Sequence, residues 1–285
     1  MVANTLEDPH ENQGPARLQV GRSDNHQESV MLTSSRGLAA SLVLASCFLS
    51  APAFAQVVNP ADEVSDGAEG PITISANVTL ASEYRFRGVD LSGGEVAIQG
   101  GFDLATNSGF YVGTWASSLD EDTVGFGSTE VDIYGGWSGE FASGLSADVG
   151  VIGYLYPDAG PGDFDYIEVY GSVGFSMGPA EATVGMAYAP KQDSLGGTDN
   201  IYVYTDVGVG IPGTPISLTG HVGYTDGFLT FTNDSKAFDW SIGAEAEIYG
   251  PLSISAAYVG AEGDIPVGAY DFVDEGFVVT LSASF

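Results

Sequence analysis

What most constrains this chain is an alternation of apolar and polar residues with a period of two. In Ile72-Thr-Ile-Ser-Ala-Asn-Val-Thr-Leu-Ala-Ser-Glu-Tyr-Arg-Phe-Arg87, the residues Ile72, Ile74, Ala76, Val78, Leu80, Tyr84 and Phe86 share one parity. Thr73, Ser75, Asn77, Thr79, Glu83, Arg85 and Arg87 share the other. Successive side chains of a β-strand point to opposite faces, so this pattern predicts one long strand with an apolar and a polar face. A strand of about fifteen residues is longer than most soluble ones and crosses a bilayer at a tilt. Eleven further segments repeat the pattern, near 94–105, 109–118, 129–139, 143–156, 164–177, 180–189, 199–210, 215–225, 238–249, 251–260 and 275–285, which makes twelve.

The connections alternate in length. Short turns of Gly, Pro, Asn and Ser lie near 105–109, 139–144, 177–180, 211–215 and 249–251. Longer Gly- and Asp-rich connections lie around 88–94, 119–128, 157–163, 190–198, 226–237 and 261–274. An even number of antiparallel strands, with short turns on one rim and long loops on the other, is the arrangement of a closed transmembrane β-barrel whose short turns are periplasmic. The last segment, Gly276 to Phe285, puts Phe277, Val279, Leu281, Ala283 and Phe285 on one face. It resembles the final strand of bacterial outer-membrane barrels, in which a terminal Phe is read by the barrel assembly machinery.

Parity alone does not say which face is outside. The polar parity carries Glu83, Arg85, Glu95, Asp103, Glu130, Asp132, Asp148, Glu168, Asp206, Glu245 and Glu247. The apolar parity carries aromatics near strand ends, namely Tyr84, Phe86, Trp137, Phe175, Tyr188, Tyr224, Trp240, Tyr258, Phe277 and Phe285. Aromatics so placed suit the interfacial girdles of a membrane barrel, which puts the apolar face toward lipid and the acids toward the lumen. Charge excludes one class outright: with 7 Lys and Arg against 38 Asp and Glu, and a net charge of −31, the chain has no cationic surface for nucleic acid. No apolar run in the body is long enough for a membrane helix.

The amino-terminal portion divides into three. Residues 1–30 are polar and unpatterned and read as an upstream extension, with an ordered arm as the alternative. Residues 31–55 run from Met31 through an apolar stretch to Ala53-Phe-Ala55, the pattern of a secretory signal peptide. Cys47 within it also fits a lipidated cysteine, but a second apolar stretch and a better cleavage site follow it. Residues 56–71 form an acidic lead-in, and residues 72–285 are the barrel domain.

Several stretches resemble the TorF-like porin family of proteobacteria, a family of unknown function. They are Ser82-Glu-Tyr-Arg-Phe-Arg-Gly-Val89, Ala97-Ile-Gln-Gly-Gly-Phe-Asp103, Phe110-Tyr-Val-Gly-Thr-Trp-Ala-Ser117, Thr129-Glu-Val-Asp-Ile-Tyr134 and Tyr166-Ile-Glu-Val-Tyr170. The resemblance implies an outer-membrane barrel with no established substrate and no catalytic residues.

Of the chemistry available, a barrel hydrolase needs an activated serine and a histidine base. His221, the one histidine after residue 55, shares the parity of Ser217, Thr219 and Thr225 and so faces the lumen rather than lipid. It reads as a hydrogen-bonded wall residue. Glu130 with Asp132, and Glu245 with Glu247, place two carboxylates on one face about 7 Å apart, and read as hydrated acidic wall. The acidic loops around Asp120, Asp158, Asp163, Asp165, Asp271 and Asp274 match no EF-hand spacing and read as solvated, with weak divalent binding or bridging to lipopolysaccharide as an addition. Arg85 and Arg87 are half of the four cations after residue 55. They carry two readings: an ion-pair network with Glu83, Glu95 or Asp132 that rigidifies the barrel, and a selectivity constriction facing acids across the pore.

The residues thus predict a twelve-stranded outer-membrane barrel that forms a narrow, acidic, porin-like passive channel preferring cations, with no enzymatic activity and no cofactor or metal. Its lumen candidates are Glu83, Arg85, Arg87, Glu95, Asp103, Glu130, Asp132, Asp148, Glu168, Asp206, His221, Glu245 and Glu247. Its expected partners are outer-membrane lipid, lipopolysaccharide, the assembly machinery through Phe285, and small solutes, with cationic or neutral ones preferred. A non-conducting structural or surface-interaction barrel is the alternative.

Overall fold

The computed structural model describes residues 71–285 apart from 124, 143, 163 and 266–273. The expected extension 1–30, the signal peptide 31–55 with Cys47, residues 56–70, and Asp163 and Asp271 lie outside the described residues.

The strands in chain order are β1 (Ile72–Ala81), β2 (Arg85–Phe86), β3 (Val89–Asp90), β4 (Ala97–Thr106), β5 (Phe110–Ser118), β6 (Thr129–Ala142) and β7 (Leu145–Leu155). They continue with β8 (Tyr166–Met177), β9 (Ala180–Ala189), β10 (Asn200–Gly210), β11 (Ile216–Gly227), β12 (Lys236–Tyr249), β13 (Leu252–Gly263) and β14 (Gly276–Ser284). Twelve of them close into one antiparallel barrel, each paired to the next wall strand, β1 meeting β4 across the intervening β2–β3 hairpin. The seam joins β14 to β1, with Leu80 opposite Leu281 and Val78 opposite Ala283. Closure leaves no wall strand with an unpaired edge.

Alternation decides the faces. Ile74, Ile98, Ile133, Val149, Val203, Leu218, Ile242 and Leu281 point outward and are exposed, and the outward polar positions at mid-height, Thr114 and Thr205, are uncharged. Outward aromatics gather at both rims. Phe110, Trp137, Phe141 and Phe175 lie at the short-turn end, while Tyr188, Tyr224, Trp240, Tyr258 and Phe277 lie at the long-loop end. There the rings of Trp240 and Tyr258 are 5.5 Å apart, and those of Tyr258 and Phe277 4.8 Å.

The expected first strand is corrected. It stops at Ala81 rather than running to Arg87: Ser82 N–H still donates to the Val279 carbonyl of the seam strand (2.8 Å), after which the chain leaves the wall and pairs with itself as the β2–β3 hairpin. Tyr84 and Phe86, expected on the lipid face, are buried inside the barrel. Glu95, expected at the head of the second strand, is exposed in the connection before β4. The buried core of this protein lies inside the barrel, in the half nearest the long loops. Toward the short turns the inward positions are small and polar: Thr73, Ser75, Ser146, Ser172, Ser217, Thr219, Ser253 and Ser255.

Long loops pack on that core instead of standing free. Phe126, buried in the β5–β6 connection, lies 4.6 Å from Tyr156, 5.8 Å from Phe164 and 6.0 Å from Phe231, ring to ring. Asp158 accepts from both the hydroxyl and the backbone N–H of Ser128, which ties two loops together and holds its carboxyl below the usual aspartate range. Between the loops 156–165 and 192–194 lies a cleft of about 520 Å³.

Candidate functional site

The inward segment is built by a two-residue turn. Arg87 (φ 51°) and Gly88 (φ 79°) both have positive φ, which defines the hairpin turn compatible with strand twist. Only glycine fits the second position on packing grounds as well, since a Cβ there would lie 2.9 Å from the Asp239 Cβ on β12 and closer still to Ala261 on β13. The hairpin starts beside β1 and its tip rests on β12 and β13. It therefore lies inside the lumen, beside the seam.

Its side chains reach the rest of the wall. Tyr84 sits edge-on to Trp115 of β5 at 5.6 Å and its hydroxyl donates to Glu130 of β6 at 3.3 Å. Phe86 meets Tyr154 of β7 at 5.7 Å. Arg87, 2 % exposed, makes two parallel bonds to Glu168 of β8, Nη1 to Oε1 at 3.0 Å and Nη2 to Oε2 at 2.6 Å. Its guanidinium carbon lies 4.4 Å above the Tyr202 ring of β10 and 4.6 Å from Phe86. Burial disfavours its charge, but Glu168 more than restores it, leaving the guanidinium pKa above its ordinary value. Arg85 anchors the root of the hairpin, bonding Glu83, the Asp274 carbonyl (2.6 Å) and the Asp274 carboxylate (2.9 Å).

The acids expected in the lumen sort into two groups. Asp103, Glu130, Asp132, Glu168, Asp206 and Glu245 are buried inside the barrel and Asp148 is half-buried there, whereas Glu95 and Glu247 are exposed and away from it. Glu130 and Asp132 are not hydrated wall as expected. Both are buried, and Glu130 accepts from the Tyr84 hydroxyl of the hairpin. Glu245 and Glu247 share a face of β12 but not an environment, because Glu247 lies at the short-turn rim and is exposed while Glu245 is buried further in. Of the ion pairs expected for the arginines, the one with Glu83 forms; Arg87 chooses Glu168 in place of Glu95 or Asp132.

At mid-height the acids are held by tyrosines. Tyr134 donates to Asp103 (2.5 Å), and Tyr111 donates to Asp148 (2.8 Å) while touching the Tyr170 hydroxyl at 2.6 Å. On the opposite wall His221 Nδ1 lies 2.6 Å from Asp206, and Nε2 lies 2.9 Å from both Asp239 and the Tyr202 hydroxyl. Both ring nitrogens face carboxylates, an arrangement that leaves neither free to act as a general base.

Two further sets of residues line the lumen without being among the expected candidates. Asp239 shares the parity of Glu245, so the same count along β12 finds it. Tyr111, Tyr134, Tyr154, Tyr170, Tyr202 and Tyr204 share the inward parity of their strands, so the same alternation that places the acids places them too. Each of several faces a glycine on the adjacent strand, as Tyr134 does Gly113, Tyr170 does Gly150 and Tyr204 does Gly185. These rings therefore lie against the wall instead of standing across the lumen.

A closed twelve-stranded barrel with an apolar exterior, a polar lumen and an inward-folded first loop has the fold of a porin. The structure is similar to that of the KdgM porin, with a TM-score of 0.51 and 7% identity over 74% of this chain and 99% of that one. It is similar in the same way to the NanC porin, with a TM-score of 0.50 and 9% identity over 75% and 99% of the two chains. No curated protein matches the sequence. The chain belongs to the Gcw_chp family, described as bacterial proteins of unknown function, whose profile matches residues 65–285.

Proposed function

We propose that this protein is an outer-membrane, porin-like passive channel for small solutes, of the TorF-like kind, with a preference for cations and with no catalytic role. One observation carries the reading: a closed barrel that is apolar outside and, among the described residues, encloses Asp90, Asp103, Glu130, Asp132, Asp148, Glu168, Asp206, Asp239 and Glu245 against only Arg85, Arg87 and His221 inside. Such an exterior is stable only in lipid, and such a lumen attracts cations. The barrel shares its fold with two porins, which is consistent with this assignment. In this reading the outward face of β14, with Phe277, Val279, Leu281 and Phe285, is offered to lipid and to the assembly machinery. The acidic loops face lipopolysaccharide.

The hairpin favours a second reading, a non-conducting structural barrel, because it fills the lumen near the long-loop mouth. Planar-bilayer recording of the full chain separates the two. The channel reading expects a small unitary conductance with a reversal potential of cation-preferring sign. It also expects conductance to rise several-fold when Tyr84–Leu91 is replaced by a Gly-Ser linker. Silence in both proteins would leave the structural barrel standing, and an anion-preferring reversal potential would refute the selectivity.

A further inference from the structure

We propose that the pocket holding the Arg87 side chain is a binding site for guanidinium groups of solutes, and that Arg87 is the chain's own occupant of it. The inference deepens the channel reading and rests on it for the solute's route to the site.

The walls of the pocket and its occupant come from different kinds of structure. Glu168, Tyr154 and Tyr202 stand on β8, β7 and β10, all parts of the hydrogen-bonded barrel. The strand between β8 and β10 contributes Ala187 and Ala189, both fully buried, so the wall is recessed where the guanidinium lies. Tyr154 donates to Glu168 Oε2 at 3.3 Å and so helps to orient the carboxylate for its two-bond contact. Tyr202 presents a ring face at 4.4 Å. A fork-shaped carboxylate contact combined with an aromatic face suits a planar guanidinium, and suits a compact ammonium less well.

The occupant, by contrast, arrives on a connection that belongs to no wall strand, through a turn that holds a non-glycine residue at positive φ. If the hairpin swings out, Glu168 is left buried and unpaired, which is strongly unfavourable. A solute guanidinium entering as Arg87 leaves keeps that carboxylate paired. Displacement by a chemically matched solute is therefore easier than opening alone, and the site favours solutes that replace its own side chain. The tether sets the competition. An attached group acts at an effective concentration on the order of millimolar or above, so in the native chain a free guanidinium must exceed that level to compete. Removing the Arg87 side chain removes the competitor.

The test uses the full chain in detergent, as Arg87→Ala and as Arg87→Ala with Glu168→Gln, with thermal unfolding followed by gel mobility and circular dichroism. Methylguanidinium chloride is compared with sodium chloride at equal ionic strength. The expected result is that tens of millimolar methylguanidinium raise the melting temperature of Arg87→Ala by several degrees, increasing with the logarithm of concentration. Sodium has no such effect, and the double variant does not respond. Should Arg87→Ala fail to fold in sodium chloride, the expected result becomes recovery of the folded band on refolding in methylguanidinium. Equal responses to the two salts, or an equal response in the double variant, would overturn the site. The readout needs no conductance. A silent barrel that methylguanidinium stabilises would sink the channel reading and keep the site, and a conducting barrel without that stabilisation would do the reverse.

Discussion

Arg87 and Glu168 concentrate the energetic risk of this structure in one contact. Both are essentially removed from water, at 2 % and 0 % exposure, and are joined by two bonds. A buried ion pair repays little net free energy relative to apolar groups of the same size, because both partners lose their hydration. Breaking it from one side is another matter, since the survivor keeps the desolvation cost without the attraction. Glu168→Gln should therefore destabilise the barrel by about 3–5 kcal/mol, whereas Arg87→Met combined with Glu168→Met should cost little. Urea unfolding of the three proteins measures both. Equal losses for the single and double variants would mean that the pair is exposed to water in solution.

Between strands, the recurring unit is a lumenal tyrosine laid over a glycine of its neighbour. At Gly136 on β6, an added Cβ would meet the Tyr111 hydroxyl at 2.6 Å and, nearer still, the backbone carbonyl of Val149. The tyrosine ring can move, but the carbonyl belongs to the β6–β7 ladder and moves only with its strand. Gly136→Ala should thus lose about 1–3 kcal/mol, the usual cost of overpacking, and release the Tyr111 bond to Asp148. Heat-induced mobility shift gives the stability. Near-ultraviolet circular dichroism reports the tyrosine, whose signal should weaken more than in Val131→Ala, a change on the outer face of the same strand. The hairpin obeys the same logic, since its tip fits between Asp239 and Ala261 only because position 88 has no side chain.

Taken whole, the barrel is a thin apolar wall around an acidic interior, so the field of Asp103, Asp148, Asp206 and their neighbours is focused along the lumen rather than dissipated in water. Salt screens such a field over about 30 Å at 0.01 M and about 3 Å at 1 M. The cation preference expected of the channel should therefore be strong in dilute salt and nearly vanish in molar salt. Reversal potentials at a fixed salt ratio but rising absolute concentration measure it. A preference independent of concentration would place selectivity in direct contact with a few groups near the hairpin, not in the summed field.

The number of wall strands, their outer faces and the division into short and long connections were all legible in the residues, because each rests on covalent geometry: consecutive side chains of a strand must point to opposite sides. Asp103, Glu168, Asp206 and His221 were placed on the inner face by that count alone. The destination of residues 82–91 was not legible, because Tyr84, Arg85, Phe86 and Arg87 alternate as a wall strand would. Arg-Gly also lacks the Asn or Asp that usually announces a two-residue turn. What draws this segment inward lies far along the chain. Glu168 is 81 residues from Arg87, and Asp239 and Ala261, against which the tip rests, are farther still. A two-residue period reports the face a side chain takes relative to its own strand. Whether that strand joins the wall or fills the space the wall encloses depends on which buried charges need a partner, and those meet only once the barrel has closed.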